Sequence, residues 1–353
     1  MSRAYTTIRD LAEQILEDTG NADWATTELD LLIPIGLNEI SRYKPYETVE
    51  TFQIETRNGT ANSDIADALV DTTKSQFLST DVDKVVYNVD DKTWAVVTSA
   101  TTSQLTLSKD IFPDGNEQYK IFNAGCRSNR EINIVGVPDY LIIKKLVYPP
   151  GKTPNWTQQG DIIWIDMPSA PDDTRLSTAD KDVDVYFARP HFLSELTDFL
   201  GKVSVGVAAG VTTFTLDIVD GANVETIKRN QPFTIAGIRG TYHVTVDATF
   251  VAGVIAISFY PALQSASLAN DVVTLEDSTL TLELEDILAN WVAAQAALNR
   301  CSDLARNQMV TGTAPFQAMR QWALDKMALV NRELASQSKR KRPARQYAFS
   351  KYS

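Results

Sequence analysis

The sequence has 353 residues, 44% of them hydrophobic and 22% charged, and a net charge of −12. That is enough chain for about two or three domains with a real core. A negative charge spread this widely excludes general nucleic-acid binding by the body of the protein. The two cysteines, Cys126 and Cys301, are too few for a disulfide scaffold and point to a reducing assembly compartment. No apolar window reaches the length that spans a membrane, and the opening residues lack a signal core.

The chain begins with helical periodicity. Thr7 precedes an amphipathic run with Ile8, Leu11, Ala12, Ile15 and Leu16 on one face. Thr7 and Asp10 resemble a capping box, and Gly20 with Asn21 marks the end. A second run, 26–43, places Leu29, Leu32, Ile33, Leu37 and Ile40 at helical spacing. Pro34 is expected to kink or divide it, and Pro45 closes it.

Residues 51–125 change to a period of two. Runs at 85–89, 94–97, 104–107 and 119–122 read as strands, with Asp90-Asp91 and Pro113-Asp114-Gly115 as turns. This predicts a small all-β module. Residues 126–195 add strands at 131–137, 140–148, 161–167 and 182–187, more apolar than the first set and expected to pack on the helices. Strand candidates resume at 213–219, 232–238, 242–246, 254–259 and 271–275, with glycines between them. They predict a second β module over 196–282. The two modules share a rhythm of short strands and Thr-rich turns, but their sequences do not align, so an internal repeat stays open.

Helical periodicity returns over 283–337. Ile287, Trp291, Ala294, Leu298, Cys301 and Ala305 draw one stripe. Gly312 stops that helix. Thr313 and Pro315 start another, whose stripe is Phe316, Met319, Ala323, Met327, Val330 and Leu334. The pair reads as a helical hairpin whose natural partner is the N-terminal pair, residues 1–50. The expected fold class is therefore α+β: a helical bundle from the N- and C-terminal segments, a central β-sheet at 126–195, and two inserted small all-β modules at 51–125 and 196–282.

No catalytic constellation emerges. His191 and His243 fall in different predicted regions without metal-ligand spacing to either cysteine, so a structural role is expected for His191. Asp90-Asp91 and Asp172-Asp173 read as solvated turns. No Gly-rich phosphate loop or nucleophile elbow is present. The sequence thus implies no enzyme activity, no cofactor and no metal. The feature that stands out is the tail, 338–353. Its basic run Lys339, Arg340, Lys341, Arg342 and Arg345 is followed by spaced aromatics Tyr347, Phe349 and Tyr352. Such a peptide suits docking in a groove or on a sheet edge, since Arg and aromatics dominate interface hot spots.

Several stretches carry a family resemblance. Residues 23–32 place Trp24 ahead of a Leu-rich run. Residues 147–156 and 160–168 form a strand, loop and strand, and 183–191 a further strand. Residues 286–299 are an Ala-rich helix, and 313–337 a closing helix with Trp322 midway. In this order they resemble the head–tail connector, or adaptor, proteins of tailed bacteriophages. Residues 85–122 and 233–244 resemble β modules common in phage structural proteins, although two inserts depart from the simplest pattern.

The resemblance implies a non-enzymatic virion protein, assembled in the host cytoplasm, that forms a dodecameric ring at the neck beneath the portal. Such a ring extends the channel for double-stranded DNA and joins the capsid to a stopper or tail protein, with no membrane involved. It also implies that the tail docks on the portal through Arg340, Arg342, Arg345, Tyr347, Phe349 and Tyr352. A second reading is a virion carbohydrate- or receptor-binding protein that uses aromatics of the β modules, such as Trp94, Trp156 and Tyr242.

Overall fold

A computed structural model describes residues 5–20, 22–168, 181–194, 200–218, 226–251, 253–263, 265–276, 278–306 and 313–340. Helices α1 (Tyr5–Ile15) and α2 (Thr26–Tyr43) open the chain, and α3 (Leu282–Arg306) and α4 (Thr313–Arg340) close it. Strand β1 (Tyr46–Gln53) follows α2. Next come β2 (Asn58–Thr60), β3 (Ala68–Val70), β4 (Val85–Asn88), β5 (Trp94–Ala100), β6 (Gln104–Leu107) and β7 (Gln118–Phe122). The middle of the chain holds β8 (Glu131–Asn133), β9 (Ile142–Val147), β10 (Trp156–Gln159), β11 (Ile162–Ile165) and β12 (Asp182–Arg189). A last group comprises β13 (Leu200–Val203), β14 (Thr213–Ile218), β15 (Thr226–Ile227), β16 (Pro232–Ile235), β17 (Tyr242–Val244), β18 (Ala248–Thr249), β19 (Val254–Tyr260) and β20 (Val272–Leu275).

These elements correct the expected fold class. Among the described residues the chain is mostly β, with 4 helices, 32% strand and a six-stranded closed barrel, and is not an α+β helical bundle framed by a central sheet. The runs expected to form one central sheet separate into two three-stranded sheets, ordered β1-β12-β9 and β10-β11-β8. The reason is local. Gly160, at a φ of +60°, turns the chain so that β10 pairs back on β11. β8 takes the other side of β11, which leaves β9 and β12 to recruit β1.

The chain forms two compact units. Unit 1 is Met1–Thr48, Pro138–Ile142 and Ala188–Ser353; unit 2 is Val49–Val137 and Ile143–Phe187. In unit 1, α3 touches α1, α2 and α4. Leu284, Leu288, Val292, Ala293 and Ala296 of α3 are buried together with Ile8, Leu29, Ile33, Val330 and Leu334. A single stripe was too narrow an expectation for α3, because a helix surrounded by three others buries several faces. Helix α2 has its own close approach there. A Cβ on Gly36 would meet Leu288 Cδ1 at 2.6 Å and Trp291 Cε3 at 2.8 Å.

Helix α1 begins at Tyr5, so Thr7 lies inside it and does not cap it. Helix α2 runs on through Pro34 as one element. Proline lacks the N–H that would bond the carbonyl four residues back, at Asp30. The Tyr5 hydroxyl donates to that carbonyl at 2.7 Å, so the acceptor that Pro34 leaves bare is satisfied from α1. Replacing Tyr5 by Phe is expected to cost about 1 kcal/mol and to speed amide exchange around Pro34; exchange at the wild-type rate would show that the hydroxyl does not support the break.

The two β modules prove alike in a way the sequence hides. In unit 2 the order is β2-β7-β4-β5-β6-β3, and the edges meet where Asn62 N–H donates to the Val70 carbonyl at 2.8 Å. In unit 1 the barrel order is β13-β14-β19-β17-β16-β20. When the six ring strands of each module are counted in chain order, leaving aside the separate β15-β18 pair, both run 1-2-5-4-3-6 around the ring.

The registers agree as well. Val86 pairs with Ala95 and Ile121, as Phe233 pairs with Tyr242 and Leu275. Leu69 pairs with Leu105, as Phe214 pairs with Ile257. Val97 pairs with Leu107, as Val244 pairs with Phe259. Gly59 pairs with Tyr119, as Gly201 pairs with Val273. Asn116 and Asn270 both adopt positive φ, of 90° and 71°, two residues before the sixth strand. Their N–H groups donate to the carbonyls of Ala61 and Val203, each at the end of the first strand.

Candidate functional site

The residues with the expected docking role lie at the C-terminus. Arg340 is the last residue of α4. Its side chain, and Arg342, Arg345, Tyr347, Phe349 and Tyr352, lie outside the described residues. Asp172 and Asp173 do too. The Asp90-Asp91 pair forms a turn in which Asn88 Oδ1 accepts from both backbone N–H groups, at 2.9 and 3.2 Å. Among the described residues, no group of three or more His, Cys, Asp or Glu side chains is placed to hold a metal ion, and no helix is long and apolar enough to cross a membrane.

Both histidines are buried in unit 1. The His191 ring spans Thr279 Oγ1 at 3.0 Å and the Lys44 carbonyl at 2.7 Å, and the His191 backbone N–H donates to Ser41 Oγ at 2.8 Å. It therefore ties the end of α2 to the segments that follow β12 and β20. His243, on β17, has its pKa pushed down to about 3 by burial and then by the Arg189 charge, so its ring is neutral. Cys126 is buried and its thiol is pushed up to about 12 by burial, then by Glu131. Such a thiol is not a nucleophile at neutral pH. Tyr242 is buried in the barrel, Trp156 is half-buried, and Trp94 is 53% exposed with Lys109 Nζ over its ring at 5.0 Å.

A cleft in unit 2 has a volume of about 580 Å³ and is lined by Glu55, Arg57, Lys84, Asn123 and Asn133, with Leu78, Val82 and Val135 also at its walls. Glu55 and Arg57 sit on the short link from β1 to β2. Asp81 closes the 3₁₀ turn Ser79–Asp81, and Lys84 directly precedes β4. The chain thus brings four charges together at the root of the first β module.

Arg57 uses all five of its donors. Nε donates to Glu55 Oε1 at 2.9 Å; Nη2 donates to Glu55 Oε2 at 2.7 Å and Asp81 Oδ1 at 2.6 Å. Nη1 donates to Asp81 Oδ2 at 2.8 Å and the Gln76 carbonyl at 2.9 Å. Lys84 Nζ reaches Glu55 Oε2 at 2.6 Å and Asp81 Oδ1 at 3.1 Å.

The four formal charges cancel. Burial alone would raise both carboxyls, but Arg57 and Lys84 overcome it, helped at Asp81 by the Leu78 N–H. Glu55 is held down to about 2, and Asp81 is lowered as well. Both carboxyls stay ionised at neutral pH, and all five guanidinium donors are spent on them and on the Gln76 carbonyl. The arrangement fixes the module's root; it offers no proton to transfer. Sequence reading missed it because Arg57 and Asp81 are far apart in the chain and no spacing marks the pair. The comparisons add no relative: no protein-family model and no curated protein matches this chain.

Proposed function

We propose that this chain is a non-enzymatic structural protein of tailed-bacteriophage virions, a head-to-tail adaptor that assembles as a ring beneath the portal. The observation that carries this reading is the division of labour along the chain. Helices from both termini pack around α3, while two modules with separate cores of their own are inserted between them. Separate cores of this kind within one chain suit a part repeated many times around an axis. The acidic balance of −12 suits a channel through which DNA slides, because Lys and Arg contacts to phosphate dominate nonspecific affinity. The basic, aromatic tail supplies arms whose number gives avidity on the portal without each binding tightly.

Native mass spectrometry of the protein, alone and mixed with its cognate portal, tests the reading. A multi-copy ring is the expected species. A monomer that ignores the portal would overturn it. Removing 338–353 is expected to abolish portal binding while leaving the melting temperature unchanged; retained affinity would show that the tail is not the docking arm. The carbohydrate-binding reading is favoured only by the exposure of Trp94, and Lys109 already covers one face of that ring. A glycan array that stays blank removes it.

A further inference from the structure

The two six-stranded modules act as controls for one another. Their shared registers make Ala61 equivalent to Val203, Asn62 to Ser204 and Asn116 to Asn270. One residue further along the first loop, Ser63 matches Val205. Two residues earlier in the other loop, Asp114 matches Leu268. These loops meet at one rim of each module. In the first module, 61–67 and 108–117 carry Asp64, Asp67, Lys109, Asp110, Asp114 and Glu117. In the second, 203–211 and 261–270 carry none; Asp271, which matches Glu117, follows at the edge, where its carboxylate accepts from Leu268 N–H at 2.7 Å.

The uncharged rim is apolar and firmly built. Val205 is 67% exposed and Leu268 71%. Ala208, Ala209, Ala266 and Ala269 are exposed beside them. Ser267 N–H donates to the Val207 carbonyl at 2.9 Å, and Gly210 N–H to the Leu263 carbonyl at 2.8 Å. Gly206 lies so close to the facing loop that a Cβ would come within 2.8 Å of the Ser267 carbonyl oxygen. The fold itself does not call for this surface, since the first module holds the same loops together with Ser63 and Asp114 in these places. The first rim does expose Ile65, but between Asp64 and Asp67.

We propose that the rim formed by 205–211 and 265–270 is a contact face between copies of this chain. The proposal rests on the multi-copy reading above. Two chains that each carry −12 repel wherever their charged surfaces meet. At this rim only the Asp271 carboxylate, held on Leu268 N–H at the edge, faces a second copy, so the like-charge cost is small, and interface cores are depleted of charge in just this way. Lacking Lys and Arg, the rim has nothing to offer a nucleic-acid phosphate. Its loops are already hydrogen-bonded together, so little ordering entropy opposes docking.

The test transfers the first module's residues to the second, as Val205→Ser with Leu268→Asp. The first module shows that these residues suit the loops, so the melting temperature should not move. The concentration at which half the chains are assembled should rise about tenfold or more, read by analytical ultracentrifugation. In the wild-type chain, amide exchange of 204–211 and 265–270 should slow on assembly. A double variant that assembles at the wild-type concentration overturns the proposal, as does a wild-type assembly whose rim exchanges freely. Protection that appears only when portal is added assigns the rim to a different protein and overturns it too. A wild-type chain that stays monomeric at every concentration sinks the multi-copy reading and the rim with it; the other outcomes sink the rim alone.

Discussion

Replacing Arg57 by Leu is expected to destabilise unit 2 by about 3–5 kcal/mol. The loss comes from what stays behind. Asp81 is fully buried and Glu55 nearly so, and without the guanidinium fork Lys84 alone of the two bridging cations remains, beside backbone N–H donors from Leu78, Thr56 and residue 57. A buried carboxylate stripped of its partner costs far more than the intact pair contributes. Arg57→Lys keeps the charge but loses the fork, so it should fall between the two. Chemical denaturation at neutral pH measures both variants. A change below about 1 kcal/mol, the range typical of exposed ion pairs, would mean that the network is solvated and structurally idle.

The same network sets a pH dependence. Glu55 and Asp81 have folded pKa values below the ordinary carboxylate range, Glu55 at about 2. The unfolded chain therefore binds more protons in acid, and stability rises with pH across that window. The contribution is complete above about pH 5, where unfolded carboxyls are ionised, and is lost as pH falls toward 2. The Arg57→Leu variant should show a flatter slope over that interval.

Replacing Phe233 by Ala is expected to cost about 3–5 kcal/mol. Phe233 is fully buried, with ring centroids of Phe214, Tyr242 and Phe259 at 5.9, 5.5 and 5.6 Å. Its removal leaves a cavity that three rigid rings cannot collapse to fill. Because each module has its own core, the damage should be confined. Amides of 200–276 should lose protection while those of 58–122 keep theirs. Equal loss in both would show that the modules unfold as one.

Much of the local structure was legible. The period-two runs at 85–89, 104–107 and 119–122 mark β4, β6 and β7, because hydrophobic alternation is a property of the strand itself. The short strands β2, β3 and β13 were not legible, since a three- or four-residue strand exists only by pairing with a distant neighbour. Of the two effects expected of Pro34, a kink or a division, the division does not occur, for a related reason. The rule that proline divides a helix assumes an unsatisfied carbonyl, and only the packing of α1 brings the Tyr5 hydroxyl to Asp30. The candidate sites divide the same way. Composition exposed the basic, aromatic tail. The Glu55–Arg57–Asp81–Lys84 cluster stayed hidden because loops deliver its members to one place.

By itself the sequence determined where the chain is helical near its two ends, where it alternates, and that its charges are acidic except in the tail. These follow from residue chemistry and spacing over a few turns or strands. Tertiary structure decided that the chain is mostly β, that the expected central sheet is two sheets, and that the modules share one ladder. The last point shows why it had to. In the first module Ala95 and Tyr119 occupy the fourth and sixth strands; in the second, Tyr242 and Val273 occupy the matching positions. The large ring has changed strands while both cores stay filled. Packing constrains total volume more tightly than the identity of any one residue, so the likeness survives in backbone register after it has left the sequence.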